Sequence, residues 1–197
     1  MAGHFEPLPG GGAAVALDEV EISILRSLAV QLLELIGPGD AQGPEAADPL
    51  ARLFAEGPSE PPADPALARL FPDAYGEPGG EQDREQRAHA AEFRRYTEND
   101  LRERKREDAL GMVRSLDSLS VAGDSGAVLR LPPEGCRQWL GALNDLRLTI
   151  GTRLEITDED DSDLLFRLPD EDPRRPMVMA YLWLGGLQET LVEALMS

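Results

Sequence analysis

Apolar residues along the chain recur mainly at three- and four-residue steps, the spacing that places them on one face of an α-helix. The first such stretch lies between residues 20 and 36 and is followed by Gly37-Pro38-Gly39, which cannot continue a helix. Asp18, with Glu21 three positions later, is a helix-capping pattern. These signals predict a core helix with the apolar residues Ile24, Leu25, Leu28, Leu32, Leu35 and Ile36.

Two short apolar runs, residues 13–17 and 127–131, are followed by such helical patterns. Each run is rich in Ala, Val and Leu and comes after a stretch that contains glycine. The second is followed by Pro132-Pro133-Glu134, which opens a helix that carries Trp139. We expect the two runs to be strands that pair in a small two-stranded β element.

A long helix is predicted from about residue 81 to residue 119, because this stretch has no proline and only one glycine among many Arg, Glu and Ala residues. Its second half has an ordinary apolar stripe that includes Val113 and Leu116. For its first half the pattern favours an inner face that is largely polar. The expected residues of this face are Phe93, Tyr96, Thr97, Asp100, Leu101, Arg104 and Asp108.

A last helix is predicted from Pro176 to about Leu195. The chain is therefore expected to be mainly α, a bundle of about four helices with a small two-stranded β element and a flexible acidic linker. All parts are assigned to one domain. Residues 1–37 supply a strand and the first core helix, 38–63 are the linker, and 64–197 are the remainder of the helical domain.

The predicted linker contains one copy of a short repeat. Residues 48–54 (DPLARLF) reappear with one insertion at 64–71 (DPALARLF), and in both copies Asp and Pro can start one apolar helical turn. We expect the second copy to dock on its own domain. For the first copy two interpretations stay open: it docks in the same way, or its Leu50, Leu53 and Phe54 insert into a groove of a partner protein.

The charge of the chain narrows the choice of partners. It has 37 acidic residues against 19 Lys and Arg residues, a formal net charge of −18. A field of this sign repels phosphate backbones and anionic lipid, so the composition disfavours nucleic acid and membranes as partners. If DNA were bound nevertheless, we expect the contacts from the long helix, through Arg94, Arg95, Arg102, Arg104 and Arg106.

Few side chains suited to catalysis or metal binding are present. The one cysteine, Cys136, excludes a disulfide within the chain, and with only two histidines no Cys/His zinc site is expected. No glycine-rich phosphate loop occurs, so we predict a non-enzymatic protein without a metal or cofactor. The N-terminus lacks the features of a signal peptide and no apolar stretch is long enough to span a bilayer, which favours the cytosol.

Polar residues on three of the predicted helices are the main candidates for a site, because their side chains converge if these helices pack together. One interpretation is an interhelical salt-bridge network that fixes helix register. The other is a pocket for an anion or a peptide terminus, organised by arginine guanidinium groups. The candidates are Tyr96, Asp100, Arg104, Asn144, Asp145, Arg147, Arg153, Gln188 and Glu189.

Three runs of sequence resemble an uncharacterised actinobacterial family of small proteins, known as a domain of unknown function. They are EFRRYTENDLRERK (92–105), LNDLRLTIGTRL (143–154) and YLWLGGLQETLVEAL (181–195). The likeness covers most of the chain outside the linker and transfers no catalytic residue. Members are often encoded beside a ClpS-type adaptor of the Clp protease, and some are labelled transcriptional regulators, so the resemblance implies a regulatory or adaptor-related role.

These features together predict a cytosolic, non-enzymatic regulator or adaptor-like module that binds another protein, with a link to Clp-dependent proteolysis. Two alternatives stay open: a transcription-associated regulator, and a sensor of a small anion that uses the Arg/Asp cluster. The apolar C-terminal helix also leaves a homodimer through that helix as an option.

Overall fold

The computed structural model describes residues 3–38, 56–75, 83–119, 126–156, 168–169 and 171–197. The mainly helical fold class is confirmed, and the helices of these ranges pack with a small sheet. They are α1 (Glu19–Ile36), α2 (Pro65–Leu70), α3 (Arg84–Asp117), α4 (Pro133–Arg153) and α5 (Arg175–Met196).

The β element has three strands rather than the predicted two. β1 (Glu6–Leu8), β2 (Gly12–Leu17) and β3 (Ala127–Leu131) form an antiparallel sheet in the order β1-β2-β3. The pairing of β2 with β3 agrees with the prediction. The turn from β1 into β2 uses Gly10 and Gly11, whose φ angles of +93° and +84° favour glycine. With three residues, β1 is too short to show an alternating pattern in the sequence.

Helix α4 lies at the centre of the fold and packs against α1, α2, α3 and α5. Its Trp139 is fully buried, and the ring meets Phe5 edge-on with the centroids 5.8 Å apart. The indole N–H donates to Ser115 Oγ of α3 at 2.9 Å. These contacts tie the N-terminal segment and α3 to the core, and they fix the position of α4 between its neighbours.

The second copy of the repeat docks on its own domain, as predicted. Asp64 Oδ1 accepts the N–H of Leu67 at 2.9 Å and so caps α2, while Ala66, Leu70 and Phe71 are buried. Helix α2 packs against α4. A helix of this length is not stable alone, so the burial of its apolar side holds it in place.

The predicted inner face of the first half of α3 is wrong for five of its seven residues, which are exposed. Phe93, Tyr96 and Leu101 are exposed. Charged side chains do point inward, as expected, but the buried ones are Arg94 and Glu98, which the prediction did not include. The predicted Asp108 packs over Gly141 of α4. A pattern based on apolar residues does not count buried arginine and glutamate. The large hydrophobic residues in this part of α3 therefore predicted the wrong face of the helix. The buried positions of α3 are Ala90, Arg94, Glu98, Ala109, Met112 and Leu116.

Candidate functional site

A buried network of charges joins the first half of α3 to the residues that follow α2. Arg94 and Glu98, one turn apart, are only 5% and 3% exposed and form an ion pair. Arg94 also donates to the Phe71 carbonyl at 3.0 Å and to Asp73 Oδ1 at 2.8 Å. Glu98 has a second partner in Arg102, at 2.7 Å. The network joins α3 to the segment after α2, and loss of one partner would leave a buried charge unmatched, which is destabilising.

A second charged contact joins α3 to α4. Lys105 Nζ lies 2.6 Å from Asp145 Oδ1, and the two side chains are 14% and 2% exposed. Asp108, one turn beyond Lys105, packs over Gly141 of α4, where a Cβ atom would overlap its carboxylate. Burial raises the pKa of Asp145 even though Lys105 opposes the shift. Burial also raises the pKa of Asp108 to about 6, and the nearby charge of Asp145 adds to this effect.

Helices α4 and α5 form an open groove of about 580 Å³. Arg147 reaches across it from α4: its Nη1 donates to Gln188 Oε1 at 2.6 Å, and its guanidinium lies over the Tyr181 ring, 5.2 Å from the centroid. Gly185 lies against this guanidinium: a Cβ atom added there would meet Arg147 Nε at 3.6 Å, an ordinary van der Waals contact. The other lining residues are Leu182, Gly186, Glu189, Val192 and Glu193.

The structure separates the predicted polar candidates instead of gathering them at one point. Asp145 pairs with Lys105 between α3 and α4, whereas Arg147 and Gln188 bond to each other between α4 and α5. Glu189 lines the same groove as Arg147. The remaining candidates are all exposed: Tyr96, Asp100, Arg104, Asn144 and Arg153.

The arginines named as candidates for DNA contacts mostly serve the fold. Arg94 belongs to the buried network, and Arg102 and Arg106 donate to carbonyl groups at the C-terminal end of α1. Arg95 pairs with a glutamate that precedes α2, at 2.5 Å. Arg104 is exposed. Four of these five cations are therefore committed to partners within the chain.

The residues proposed as a partner-binding peptide, Leu50, Leu53 and Phe54, lie outside the described residues, so that prediction stays open. The last part of the same predicted linker contacts α3. There the N–H of Gly57 donates to the Arg95 carbonyl at 2.7 Å.

The thiol of Cys136 is poorly placed for chemistry. It is fully buried, its Sγ lies 3.7 Å from the Leu131 carbonyl, and burial raises its pKa. A protonated, buried thiol is a poor nucleophile and a poor ligand. Within the described ranges no group of three or more His, Cys, Asp and Glu side chains is placed to hold a metal ion. Across the same part of the chain, no helix is long and apolar enough to cross a membrane.

Sequence reasoning did not single out Lys105 or Gly141, which build the contact between α3 and α4. The one unusual feature of Lys105 in the sequence is that it is the only lysine of the chain, and this does not indicate which carboxylate it faces. A glycine within a helix, such as Gly141, is a weak sign of close packing.

Comparison with known proteins places the chain in a family. Residues 2–195 match the family model described as "Domain of unknown function (DUF2017)". The chain is 32% identical over 179 residues to proteins named "Oxidative stress regulator AosR" of Mycobacterium tuberculosis and Mycobacterium bovis, a match that covers 90% of this chain and 79% of theirs. It is also 32% identical over 183 residues to the "Putative oxidative stress regulator AosR" of Mycobacterium leprae, with the same coverage. No solved structure matches significantly. The chain therefore belongs to the DUF2017 family, with relatives in actinobacteria as its sequence runs predicted.

Proposed function

We propose that the protein is a non-enzymatic regulator of the response to oxidative stress and that it acts by binding another protein. The regulatory part is supported by the relatives, which are named oxidative stress regulators and match 90% of the chain. The binding part is supported by the groove between α4 and α5, where apolar Tyr181, Leu182 and Val192 lie beside acidic Glu189 and Glu193. This mixture suits a peptide or a helix better than a small reactive substrate.

Exposed apolar side chains on α5 favour the same mode of action. Met179, Val192, Leu195 and Met196 are all exposed on this one helix. Val192, Leu195 and Met196 lie within about one turn of each other, and neighbouring apolar side chains at a surface are a common feature of protein contact sites. Helix α5 is therefore the first element in which to look for a partner.

The proposal does not rely on a thiol switch within the chain. The 197 residues contain a single cysteine, so no disulfide can form among them, and Cys136 is fully buried. We therefore assign the regulatory effect to partner binding and not to oxidation of this thiol.

The link to Clp-dependent proteolysis and the cytosolic location remain predictions from the sequence. Cell fractionation followed by immunoblotting tests the location. The half-lives of Clp substrates, measured in a strain that lacks the gene, test the link to proteolysis. Unchanged half-lives would contradict an adaptor role and leave the regulatory proposal in place.

A sensor of a small anion is the second candidate function. It is favoured by Arg147, which lines the groove and whose Nε makes no hydrogen bond among the described residues. Guanidinium groups suit carboxylates and phosphates. Calorimetric titration with inorganic phosphate and with succinate tests this candidate: binding that Arg147→Met abolishes would support it, and no heat of binding would contradict it.

Deletion of the gene in the bacterium that encodes it tests the main proposal. Transcripts are measured by RNA sequencing before and after a peroxide pulse in the parent, the deletion strain and the complemented strain. We expect the deletion to alter the induction of a set of peroxide-responsive genes and complementation to restore it. The same induction in all three strains would contradict a role in the oxidative stress response.

A further inference from the structure

We propose that the groove between α4 and α5 binds a basic amphipathic helix of a partner protein. This inference rests on the proposed function and specifies the chemistry of the partner. The groove follows α5 from Tyr181 to Glu193. At 1.5 Å per helical residue this is about 18 Å, enough for roughly three turns of a docked helix.

The apolar part of the groove fits one face of such a helix. Tyr181 and Leu182 lie towards one end of the lining and Val192 towards the other, with Gly185 and Gly186 between them. Helices that dock in grooves anchor themselves through apolar residues at three- and four-residue steps. This arrangement therefore offers apolar contacts near both ends of a helix and a low surface at its middle.

The floor of the groove is low at Gly186, because this residue has no side chain. It is exposed in the middle of α5, and a Cβ atom added to it would meet nothing within 4 Å. Glycine weakens a helix relative to alanine, and no packing among the described residues requires it at this position. Gly185 differs, because the Arg147 guanidinium lies against it. The missing side chain of Gly186 allows a backbone from outside the chain to approach closely.

The charges of the groove favour a basic partner. Glu189 and Glu193 are one turn apart, both are exposed, and both line the groove. Arg147 is turned towards Gln188 and the Tyr181 ring. Two Lys or Arg residues one turn apart on a partner helix would match the two glutamates. The net charge of −18 also attracts a basic partner over longer distances and speeds its association.

The same charges disfavour a second copy of this chain as the occupant. Two chains that each carry a net charge of −18 repel each other. An antiparallel pairing of α5 centred on Gly186 would place Glu189 and Glu193 against the more apolar N-terminal half of the other helix, and a parallel pairing would place glutamate against glutamate. A homodimer through α5 is therefore an outcome that would contradict the proposal.

The test uses the purified chain and a designed helical peptide of about 14 residues as the probe. The peptide carries Leu at helical three- and four-residue steps and Lys at the other positions, and a second peptide has Glu in place of every Lys. Binding is measured by fluorescence anisotropy at about 150 mM salt, where surface charges are screened beyond roughly 8 Å.

Two groove variants and one matched control are compared. Gly186→Trp fills the groove at a position with free space, and Glu189→Lys with Glu193→Lys reverses its charge. The control, Glu34→Lys with Glu92→Lys, makes the same change in net charge at exposed positions of α1 and α3. Circular dichroism checks that all variants are folded.

We expect the Lys peptide to bind the native chain, each groove variant to weaken binding about tenfold, and the control to stay within about twofold. We expect no binding of the Glu peptide. Equal weakening by the control, no weakening by either groove variant, or a dimer in light scattering that Gly186→Trp dissociates would each overturn the proposal.

The two proposals fail in different ways. An absent or unspecific peptide interaction, with an altered peroxide response in the deletion strain, refutes the basic-helix site and leaves the regulatory function standing. Specific peptide binding, with an unaltered peroxide response, refutes the regulatory function and leaves the site standing.

Discussion

Helix α4 directs two charged residues, Asp145 and Arg147, to different neighbours. Asp145 is 2% exposed and has a cation, Lys105, at 2.6 Å on α3. Arg147 meets a neutral amide, Gln188, on α5, beside an open groove. The side of α4 that faces α3 thus pairs opposite charges in the interior. On the side that faces α5, the guanidinium of Arg147 is partly exposed and forms no ion pair with the residues that the structure describes. This difference fits our proposal that the contact with α3 serves stability and the groove beside α5 serves recognition.

The largest effect on the free energy of unfolding is expected when the contact between α3 and α4 is broken. Lys105→Met leaves the buried carboxylate of Asp145 without its cation, so we expect the free energy of unfolding to fall by about 3 kcal/mol. Urea denaturation at neutral pH measures the loss. The double variant Lys105→Met with Asp145→Leu removes both charges and should recover most of it. A loss below about 1 kcal/mol in the single variant would show that the pair is not a structural contact.

The pH dependence of the free energy of unfolding tests the same contact between α3 and α4 through Asp108. The pKa of Asp108 in the folded protein is about 6, against 3.8 for an ordinary Asp, so the folded state binds the proton more tightly than the unfolded state. Its favourable contribution is fully present below pH 3.8 and is lost as the pH rises through 6. Unfolding free energy should therefore increase when the pH is lowered from 7 to about 5.

Asp108→Asn should flatten this part of the pH dependence. Glu92→Gln, an exposed substitution on the same helix, should leave it unchanged. Denaturation curves at several pH values between 4 and 7 measure both variants. An identical slope in the native chain and in Asp108→Asn would contradict the raised pKa.

Removal of the charge of Arg147, on the side of α4 that faces α5, should change the free energy of unfolding only a little. Arg147→Met keeps the aliphatic packing of the side chain and leaves behind two uncharged partners, the Gln188 amide and the Tyr181 ring, so we expect a loss of about 1 kcal/mol or less in the free energy of unfolding. Urea denaturation alongside Lys105→Met gives the comparison directly. Equal losses in the two variants would remove the distinction between the two sides of α4.

The smallest expected difference in stability is between alanine substitutions at Gly186 of α5 and Gly141 of α4. Gly186→Ala places a Cβ in free space and should stabilise the chain by about 0.5 to 1 kcal/mol through helix propensity. Gly141→Ala places a Cβ against the Asp108 carboxylate and should give no such gain. Thermal unfolding measured by circular dichroism compares them. Equal stabilisation in both variants would contradict the close packing of α3 on α4.

Local patterns predicted much of the fold. The Asp18 and Glu21 capping box is present, with hydrogen bonds of 2.8 and 2.9 Å, and the β2 and β3 runs pair as expected. These features depend on residues close in sequence or on simple apolar runs, so a single sequence displays them. The second copy of the repeat was predictable for the same reason.

The site was less predictable because it depends on distant residues. Lys105 and Asp145 are 40 positions apart, and nothing in the sequence specifies which arginine or lysine faces which carboxylate across two helices. The inward face of α3 was hidden because its buried positions include Arg94 and Glu98, which resemble surface residues in any hydropathy pattern. Arg147 and Gln188 were identified as candidates, but the groove that they share depends on how α5 packs against α4.

The most direct test joins the groove to the peroxide response in living cells. The deletion strain is complemented with the native gene, with the Glu189→Lys and Glu193→Lys pair, or with the Glu34→Lys and Glu92→Lys control, and peroxide-induced transcripts are measured at matched protein levels. We expect the native gene and the control to restore the response and the groove pair to fail. Full restoration by the groove pair, or an equal failure of the control, would contradict regulation through this groove.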